Sequence, residues 1–269
     1  MNAHIKRWIT GAIAAPLIFL LILYGSETAF SCFILLLVVG SVIELKRMFF
    51  GTERRWITAQ GTIIALSISL PAFWGNTPLV LQAASLSLIL CFLFFLLRIR
   101  GESIDAGPLG IAVLSFIGIP LLLTHLILLR LAPHGAQWIF FLVVLAFSGD
   151  ITAFYTGRRF GKKKLMPHVS PGKTVEGAIG SLAGSLTGCA LFRFLFFPSL
   201  PLWHLLMIVP VANILGQLGD LAESALKRSA GVKDSGVIFP GHGGILDRLD
   251  FFLFAGVFVY YYSIMIFGR

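Results

Sequence analysis

The stretch from Ser224 to Asp250 reads SALKRSAGVKDSGVIFPGHGGILDRLD and separates two strongly apolar runs of the chain. It combines charged side chains with a glycine-rich turn, and the charged residues are Lys227, Arg228, Lys233, Asp234, Asp247, Arg248 and Asp250. Asp220 and Glu223 extend this group back into the preceding apolar run. Such cations bind phosphate groups, and such carboxylates bind divalent metals. The stretch therefore indicates phosphate chemistry assisted by a metal at the edge of an apolar scaffold.

The rest of the chain has the composition of a membrane protein. Of its 269 residues, 57% are hydrophobic and 12% are charged, whereas soluble domains carry about 25% charged residues. Apolar runs of about 20 residues, the length that crosses a bilayer as a helix, recur throughout. We therefore predict an all-α, polytopic integral membrane protein with about nine transmembrane helices. Their predicted positions are 8–24, 28–43, 57–74, 79–97, 108–129 with a kink at Pro120, 138–155, 176–197, 202–221 and 251–267.

The cations of the loops predict the orientation of these spans, because Lys and Arg collect on the cytoplasmic side of a membrane. With the N-terminus in the cytoplasm and the C-terminus outside, every Lys and Arg except Arg130, Arg193 and Arg269 falls on the cytoplasmic side. The polar loops 157–175 and 224–250 then face each other there. This distribution explains the net charge of +9 without a nucleic-acid partner. We divide the chain into an N-terminal scaffold, 1–135, and a catalytic half, 136–269.

Carboxylates near the membrane boundary are the first candidate site residues. Asp220, Glu223 and Lys227 share one helix face, where they either form intrahelical ion pairs or build a site. Asp247 and Asp250 lie three residues apart at the start of the last span, where they either cap a helix or bind a ligand. We predict that Asp220 and Asp247, from adjacent helices, hold Mg²⁺. Asp150 is a further candidate, because a carboxylate inside a transmembrane span is costly.

Cations and glycines supply the candidate phosphate ligands. Lys227, Arg228, Lys233 and Arg248 are suited to neutralising a polyphosphate. Gly243 and Gly244 allow a close backbone approach, and beside them His242 is a metal ligand, a phosphate donor or a packed loop residue. Lys173 follows a Ser-Pro-Gly turn, where it either binds an anion or is a positive-inside charge at a capped helix start. Neither a GxxxxGK[ST] loop nor a Rossmann glycine pattern occurs, which excludes the soluble nucleotide-binding folds.

These residues together resemble the motif of the phosphatidate cytidylyltransferase (CDP-diacylglycerol synthase) family. The matching positions are Ser148-x-Asp150, Gly157-Arg158, Ser170-Pro171-x-Lys173-Thr174-x-Glu176-Gly177, Gln217-x-Gly219-Asp220-x-x-Glu223-Ser224, Leu226-Lys227-Arg228, Lys233-Asp234, Gly236, Phe239-Pro240, His242-Gly243-Gly244 and Asp247-Arg248-Leu249-Asp250. They cover roughly the C-terminal half of the chain, and the N-terminal half matches only as apolar spans.

The resemblance implies transfer of CMP from CTP to phosphatidic acid with Mg²⁺, in the inner (plasma) membrane and with the active site facing the cytoplasm. Its partners would be CTP, phosphatidic acid and membrane lipid. The catalytic residues expected from it are Asp220, Lys227, Asp247 and Arg248. The substrate-binding residues expected are Asp150, Lys173, Arg228, Lys233, Asp234, His242, Gly243 and Gly244. The metal ligands expected are Asp220 and Asp247, together with Glu223 and Asp250, and a second cation is left open.

Other functions remain as alternatives. Another CTP-dependent enzyme, such as a polyprenol kinase or a synthase that uses an ether lipid, would share the fold but diverge in the long motif. An ion-coupled or proton-coupled transporter would use Asp150, Asp220 and Glu223 as a relay within the membrane, but the two halves show no internal repeat. Gly180 and Gly184 form a small-residue pair in the seventh span, suited to helix contacts within or between subunits, which leaves a homodimer open.

Overall fold

The structure, a computed structural model, describes residues 3–53, 55–99, 104–236, 238 and 243–268. Its helices are α1 (Ala3–Tyr24), α2 (Glu27–Phe50), α3 (Arg55–Ser69), α4 (Thr77–Arg98), α5 (Gly107–Val113), α6 (Ile119–Leu131), α7 (Gly135–Phe160), α8 (Val175–Phe196), α9 (Leu202–Ser229) and α10 (Leu246–Phe267). Within the described residues, eight helical segments are long and apolar enough to cross a bilayer. The predicted all-α membrane fold is confirmed. The first predicted span lies in α1 and stays a prediction, because the described apolar part of α1 is Ala15–Tyr24.

Several helices begin at residues whose side chains satisfy the free backbone amides of a helix N-terminus. Ser26 Oγ accepts from the Ala29 amide at 3.1 Å, which starts α2. Asn76 Oδ1 accepts from the Leu79 amide at 3.0 Å, which starts α4. The boundaries of the spans thus follow from short polar signals between the apolar runs.

The fifth predicted span is interrupted differently from the expectation of a kink at Pro120. A π-helical segment, Leu114–Gly118, joins α5 to α6, and Pro120 lies in the first turn of α6. Proline is tolerated at the start of a helix, because the amide that it lacks would have no helical partner there. The irregular part of this span is therefore the wider π-helical turn, which lies before the proline.

The loop predicted at 157–175 contains a small hairpin that the sequence analysis missed. Strand β1 (Lys164–Met166) pairs antiparallel with β2 (Ser170–Thr174), with Lys164 opposite Thr174. Thr174 Oγ1 then accepts from the Gly177 amide at 3.1 Å and starts α8. The strand pairing satisfies backbone groups of this polar segment, and it fixes the direction in which β2 leads into the helix.

The small residues of the seventh predicted span pack inside the chain. Gly180 and Gly184 of α8 face Thr156 and Thr152 of α7, and a Cβ atom on either glycine would overlap the threonine. The hydroxyl of Thr152 donates to the Ser148 carbonyl of its own helix at 2.8 Å. Since the threonine is satisfied within α7, the glycines need only supply space, and α7 and α8 pack closely without another subunit.

A buried polar network links α9 to α8 below the charged loops. Asn213 Nδ2 donates to Ser181 Oγ at 3.0 Å and to Ser185 Oγ at 2.9 Å. Gln217 Nε2 donates to Asn213 Oδ1 at 2.6 Å, and Ser185 Oγ donates to the Leu145 carbonyl at 2.8 Å. The network fixes the rotation of α9, and therefore the direction of the charged residues that follow on its next turns.

Candidate active site

The charged residues selected from the sequence come from four elements that meet at one end of the helical bundle. α9 carries its acidic residues and a lysine near its C-terminal end, and α10 carries two aspartates near its N-terminal end. The hairpin and α7 each add one residue. The set consists of Asp150, Lys173, Asp220, Glu223, Lys227, Asp247, Arg248 and Asp250.

The first group, here called the Lys173 cluster, contains Asp150, Lys173, Asp220 and Asp250. Lys173 on β2 forms an ion pair with Asp220 on α9. Asp220 and Lys173 also lie within electrostatic range of Asp150 on α7 and of Asp250 on α10, and Arg248 lies within range of Asp150. The cluster thus brings three carboxylates together around one lysine, with Arg248 beside Asp150. Carboxylate oxygens are the ligands that a divalent metal ion such as Mg²⁺ prefers.

The second group, the Lys227 cluster, contains Glu223, Lys227 and Asp247. Lys227 Nζ lies 2.6 Å from Glu223 Oε2, one helical turn away, and 2.6 Å from Asp247 Oδ1 on α10. The side chains are 12% exposed for the lysine, 3% for the glutamate and 9% for the aspartate. The intrahelical ion pair of the alternative interpretation is therefore present, but a carboxylate from a second helix shares the same ammonium group.

The second carboxylate oxygen of Asp247 is bound by the loop before α10. Asp247 Oδ2 accepts from the Ser235 amide at 2.9 Å, the Ser235 hydroxyl at 3.0 Å and the Gly244 amide at 2.7 Å. Gly243 has a φ of 80°, a conformation that glycine adopts readily, and it turns the chain so that the next amide points at the carboxylate. The glycines predicted to bind phosphate thus hold Asp247 in this structure, and Oδ1 is the oxygen that faces Lys227.

The remaining predicted substrate-binding residues surround these clusters. Arg228 is exposed and donates to carbonyl oxygens of the hairpin and of the loop after α9. Lys233 and Asp234 are exposed in that loop. His242 lies outside the described residues, as do residues 239–241 of the motif, so its alternatives stay open.

Two residues that the sequence analysis did not select belong to the site. Glu44 of α2 is buried and binds the Ser235 hydroxyl, the neighbour of Asp247. Its sequence signal was a carboxylate at the end of an apolar run, two residues before Lys46. The signal for Ser235 was weaker, because a serine in a polar loop is common. The N-terminal half therefore reaches the site through α2.

The donor set fits a hard divalent cation with open coordination positions. Within the described parts of the chain, no three carboxylate, imidazole or thiol groups converge closely enough to enclose a metal ion. Mg²⁺ does not need such an enclosure, since it commonly takes one or two carboxylates together with substrate phosphates. Glu223 Oε1 is buried without a hydrogen-bond donor among the described residues. An unpaired buried carboxylate oxygen is the kind of group that a cation would satisfy.

Comparison with known proteins gives consistent matches along the whole chain. The Cytidylyltransferase family matches residues 5–266. The phosphatidate cytidylyltransferase of Bacillus subtilis is 35% identical over 265 residues, which cover 95% of this chain and 96% of that protein. The phosphatidate cytidylyltransferase of Staphylococcus haemolyticus is 38% identical over 249 residues, which cover 90% and 93%. The similarity thus includes the N-terminal spans as well as the charged clusters.

Proposed function

This chain belongs to the cytidylyltransferase family, and on that premise we propose that it converts CTP and phosphatidate into CDP-diacylglycerol and pyrophosphate. It is an enzyme, a nucleotidyltransferase, and a multi-pass membrane protein. The proposal takes its two substrates from the names of the relatives. The observation in this chain that supports the proposal is that three motif segments, from β2, α9 and α10, meet in the Lys173 and Lys227 clusters.

The proposed reaction is an in-line displacement at the α-phosphorus of CTP. An oxygen of the lipid phosphate forms the new bond to this phosphorus, and the bond to the oxygen that bridges to the β-phosphate breaks. Pyrophosphate leaves with that electron pair. The attacking phosphate is already ionised near neutral pH, so the reaction needs no strong general base. What it needs is screening of the negative charges that the two substrates bring together.

Mg²⁺ would supply part of this screening, by neutralising charge on the phosphates and on the leaving group. We propose Asp220 and Asp247 as its carboxylates, assisted by Glu223, which lies within electrostatic range of both, and by Asp250, which lies within range of Asp220. In support, Asp247 Oδ2 is held by three protein donors, which leaves Oδ1 as the oxygen for a ligand. A second cation remains part of the proposal without an assigned site.

The two lysines have a dual role in this proposal. In the structure Lys173 neutralises Asp220 and Lys227 neutralises Asp247. Both ammonium groups are held by carboxylates that a metal would also use, so they are free to turn to phosphate oxygens once those carboxylates have another partner. Arg228, Lys233 and Arg248 would bind the outer phosphates. The sequence prediction of phosphate-binding cations therefore stands as a proposal.

The location of the clusters suits a substrate with acyl chains. They lie at the ends of membrane-spanning helices, so the lipid headgroup can reach them while its chains stay in the bilayer. We propose the inner membrane and a site open to the cytoplasm, because CTP is a cytoplasmic nucleotide and the loop cations follow the positive-inside pattern.

The test is turnover of CTP and phosphatidate by the purified protein in detergent or vesicles, as a function of Mg²⁺. We expect release of CDP-diacylglycerol and pyrophosphate in equal amounts, and none when the metal is chelated. Asp247→Asn should lower the rate by about 100-fold or more, because even residues behind a metal ligand commonly change activity by 10- to 100-fold. Glu27→Gln, an exposed carboxylate at the far end of α2, is the matched control and should leave the rate unchanged.

The outcomes separate the parts of the proposal. Transfer to a polyprenol or an ether lipid, with none to phosphatidate, would replace the lipid substrate. Full activity of Asp247→Asn would remove this residue from the metal site and leave Asp220 with Glu223. An absence of turnover with every CTP and lipid pair would refute the proposed function.

A further inference from the structure

Glu44 is a carboxylate buried among neutral hydrogen-bond donors. Its residue is 1% exposed, and it lies on α2, far from the motif segments in sequence. Glu44 Oε1 accepts from the Ile245 amide at 2.8 Å, and Oε2 accepts from the Leu246 amide at 3.1 Å. Oε2 also accepts from the Ser235 hydroxyl at 2.9 Å. A charge buried this deeply is costly unless such donors surround it, so its contacts define what it does.

Two of these donors are the first free amides of α10. Ile245 is the N-cap residue of this helix, and its own side chain provides no capping bond. The carboxylate of Glu44 therefore caps α10 from another helix, and its negative charge is favourable at the positive end of the helix dipole. The loop leaves space only for this group: a Cβ atom on Gly236 would lie 2.8 Å from the Glu44 carboxyl carbon.

The third donor connects Glu44 to the candidate metal ligand. The Ser235 hydroxyl lies 2.9 Å from Glu44 Oε2 and 3.0 Å from Asp247 Oδ2. A hydroxyl has one proton, so the two carboxylates share it, and their positions are coupled through it. Asp247 also follows directly after Leu246, whose amide Glu44 binds. Glu44 thus holds both the residue that precedes Asp247 and a side chain that donates to Asp247.

We propose that Glu44 is a positioning residue for the reaction, which holds Ser235 and the first turn of α10 so that Asp247 Oδ1 faces Lys227 and the nucleotide. This inference rests on the proposed function for its catalytic meaning. It gives the N-terminal half a direct part in the site. Glu44 itself touches neither substrate in this proposal, since its described contacts use both of its oxygens.

Glu44→Gln is the main test, because it keeps the shape of the side chain while replacing one accepting oxygen by a donating amide nitrogen. The nitrogen would then face a backbone amide or the Ser235 hydroxyl. We expect the Mg²⁺ concentration for half-maximal activity to rise by about 10- to 100-fold, the usual effect of losing a residue that orients a metal ligand. Glu44→Asp, which retains the charge, should recover part of this loss. Glu27→Gln on the same helix is the control.

Hydrogen–deuterium exchange over residues 243–250 supplies a readout that does not depend on turnover. We expect faster exchange there in Glu44→Gln than in the unmutated chain or Glu27→Gln, with exchange in α7 and α8 unchanged. If Glu44→Gln is less stable but needs the same Mg²⁺ concentration for half-maximal activity, Glu44 only stabilises the fold and the proposal is overturned. Unchanged exchange over 243–250 would overturn it whatever the activity. An unmutated chain without turnover, by contrast, would refute the proposed function, while the exchange measurement would still test the hold of Glu44 on α10.

Discussion

Replacing Lys227 by methionine would remove the ammonium group that Glu223 and Asp247 share, while keeping a side chain of similar length. The side chains of Lys227, Glu223 and Asp247 are 12%, 3% and 9% exposed, respectively. The contact is therefore buried, and the small stabilisation that is typical of surface ion pairs does not apply to it. Breaking a buried ion pair by removing one partner costs about 3–5 kcal/mol. We therefore expect Lys227→Met to lower the free energy of unfolding by that amount.

The structure also predicts which of the two carboxylates, Glu223 or Asp247, accounts for the loss of stability when Lys227 is removed. Without Lys227, Asp247 keeps the Ser235 amide, the Ser235 hydroxyl and the Gly244 amide as donors. Glu223 keeps no hydrogen-bond donor among the described residues. Adding Glu223→Gln to Lys227→Met should therefore restore at least half of the lost stability. Adding Asp247→Asn instead should restore much less.

Titration with a denaturing detergent in mixed micelles, followed by circular dichroism, would measure these free energies. Lys233→Met is the matched control, because this lysine is exposed in the loop after α9, and it should change stability by less than about 0.5 kcal/mol. A loss below about 1 kcal/mol for Lys227→Met would show that the cluster is solvated like a surface pair. Equal stability of the single and double variants would refute the assignment of the cost to Glu223.

Two further predictions concern the helices that support the site, and both are checked by the same titration. Gly184→Ala would force its methyl group against Thr152 and should lower the free energy of unfolding by about 1–3 kcal/mol, the usual cost of overpacking. Gly110→Ala is the control and should cause no loss of stability, because Gly110 has open space around it. Equal effects of the two substitutions would contradict the close packing of α7 and α8. Asn213→Leu would remove the hydrogen bonds from α9 to two serines of α8. It should lower the free energy of unfolding by about 1–2 kcal/mol, since such bonds average about 0.6 kcal/mol each in membranes. An unchanged stability would mean that the network does not stabilise the fold.

The spans could be predicted because the bilayer imposes a length and a polarity on every helix that crosses it. The last span was predicted to begin at residue 251, whereas α10 begins earlier, at Leu246, because carboxylates such as Asp247 are favourable in the first turn of a helix. The C-terminal end of α9 was predicted too early, at residue 221 rather than Ser229. The ion pair of Glu223 with Lys227 satisfies polar side chains along this last stretch, so the helix continues beyond its apolar part.

The partners of the charged residues could not be predicted. A lysine that binds phosphate and a lysine that neutralises a carboxylate have the same sequence signal, so the pairing of Lys173 with Asp220 required coordinates. The hairpin was missed because Pro171 and Gly172 in a short polar segment are more typical of a turn than of a strand. Glu44 was missed because its partners lie 191 to 202 residues further along the chain, beyond the reach of any local pattern.

The capping of α10 by Glu44 has a consequence for the order in which the protein is made. Glu44 and Leu246 are 202 residues apart, which a ribosome covers in roughly 10–40 s at 5–20 residues per second. During most of that interval the described partners of the Glu44 carboxylate do not yet exist, because Ser235 is the first of them to be made and the Ile245 and Leu246 amides follow. Because an unsatisfied carboxylate is costly in lipid, α2 should sit shallower or tilted until the last helix arrives. Nascent chains stopped before α10 should therefore leave Glu44 accessible to water. α2 should reach its final depth in the membrane only when α10 inserts.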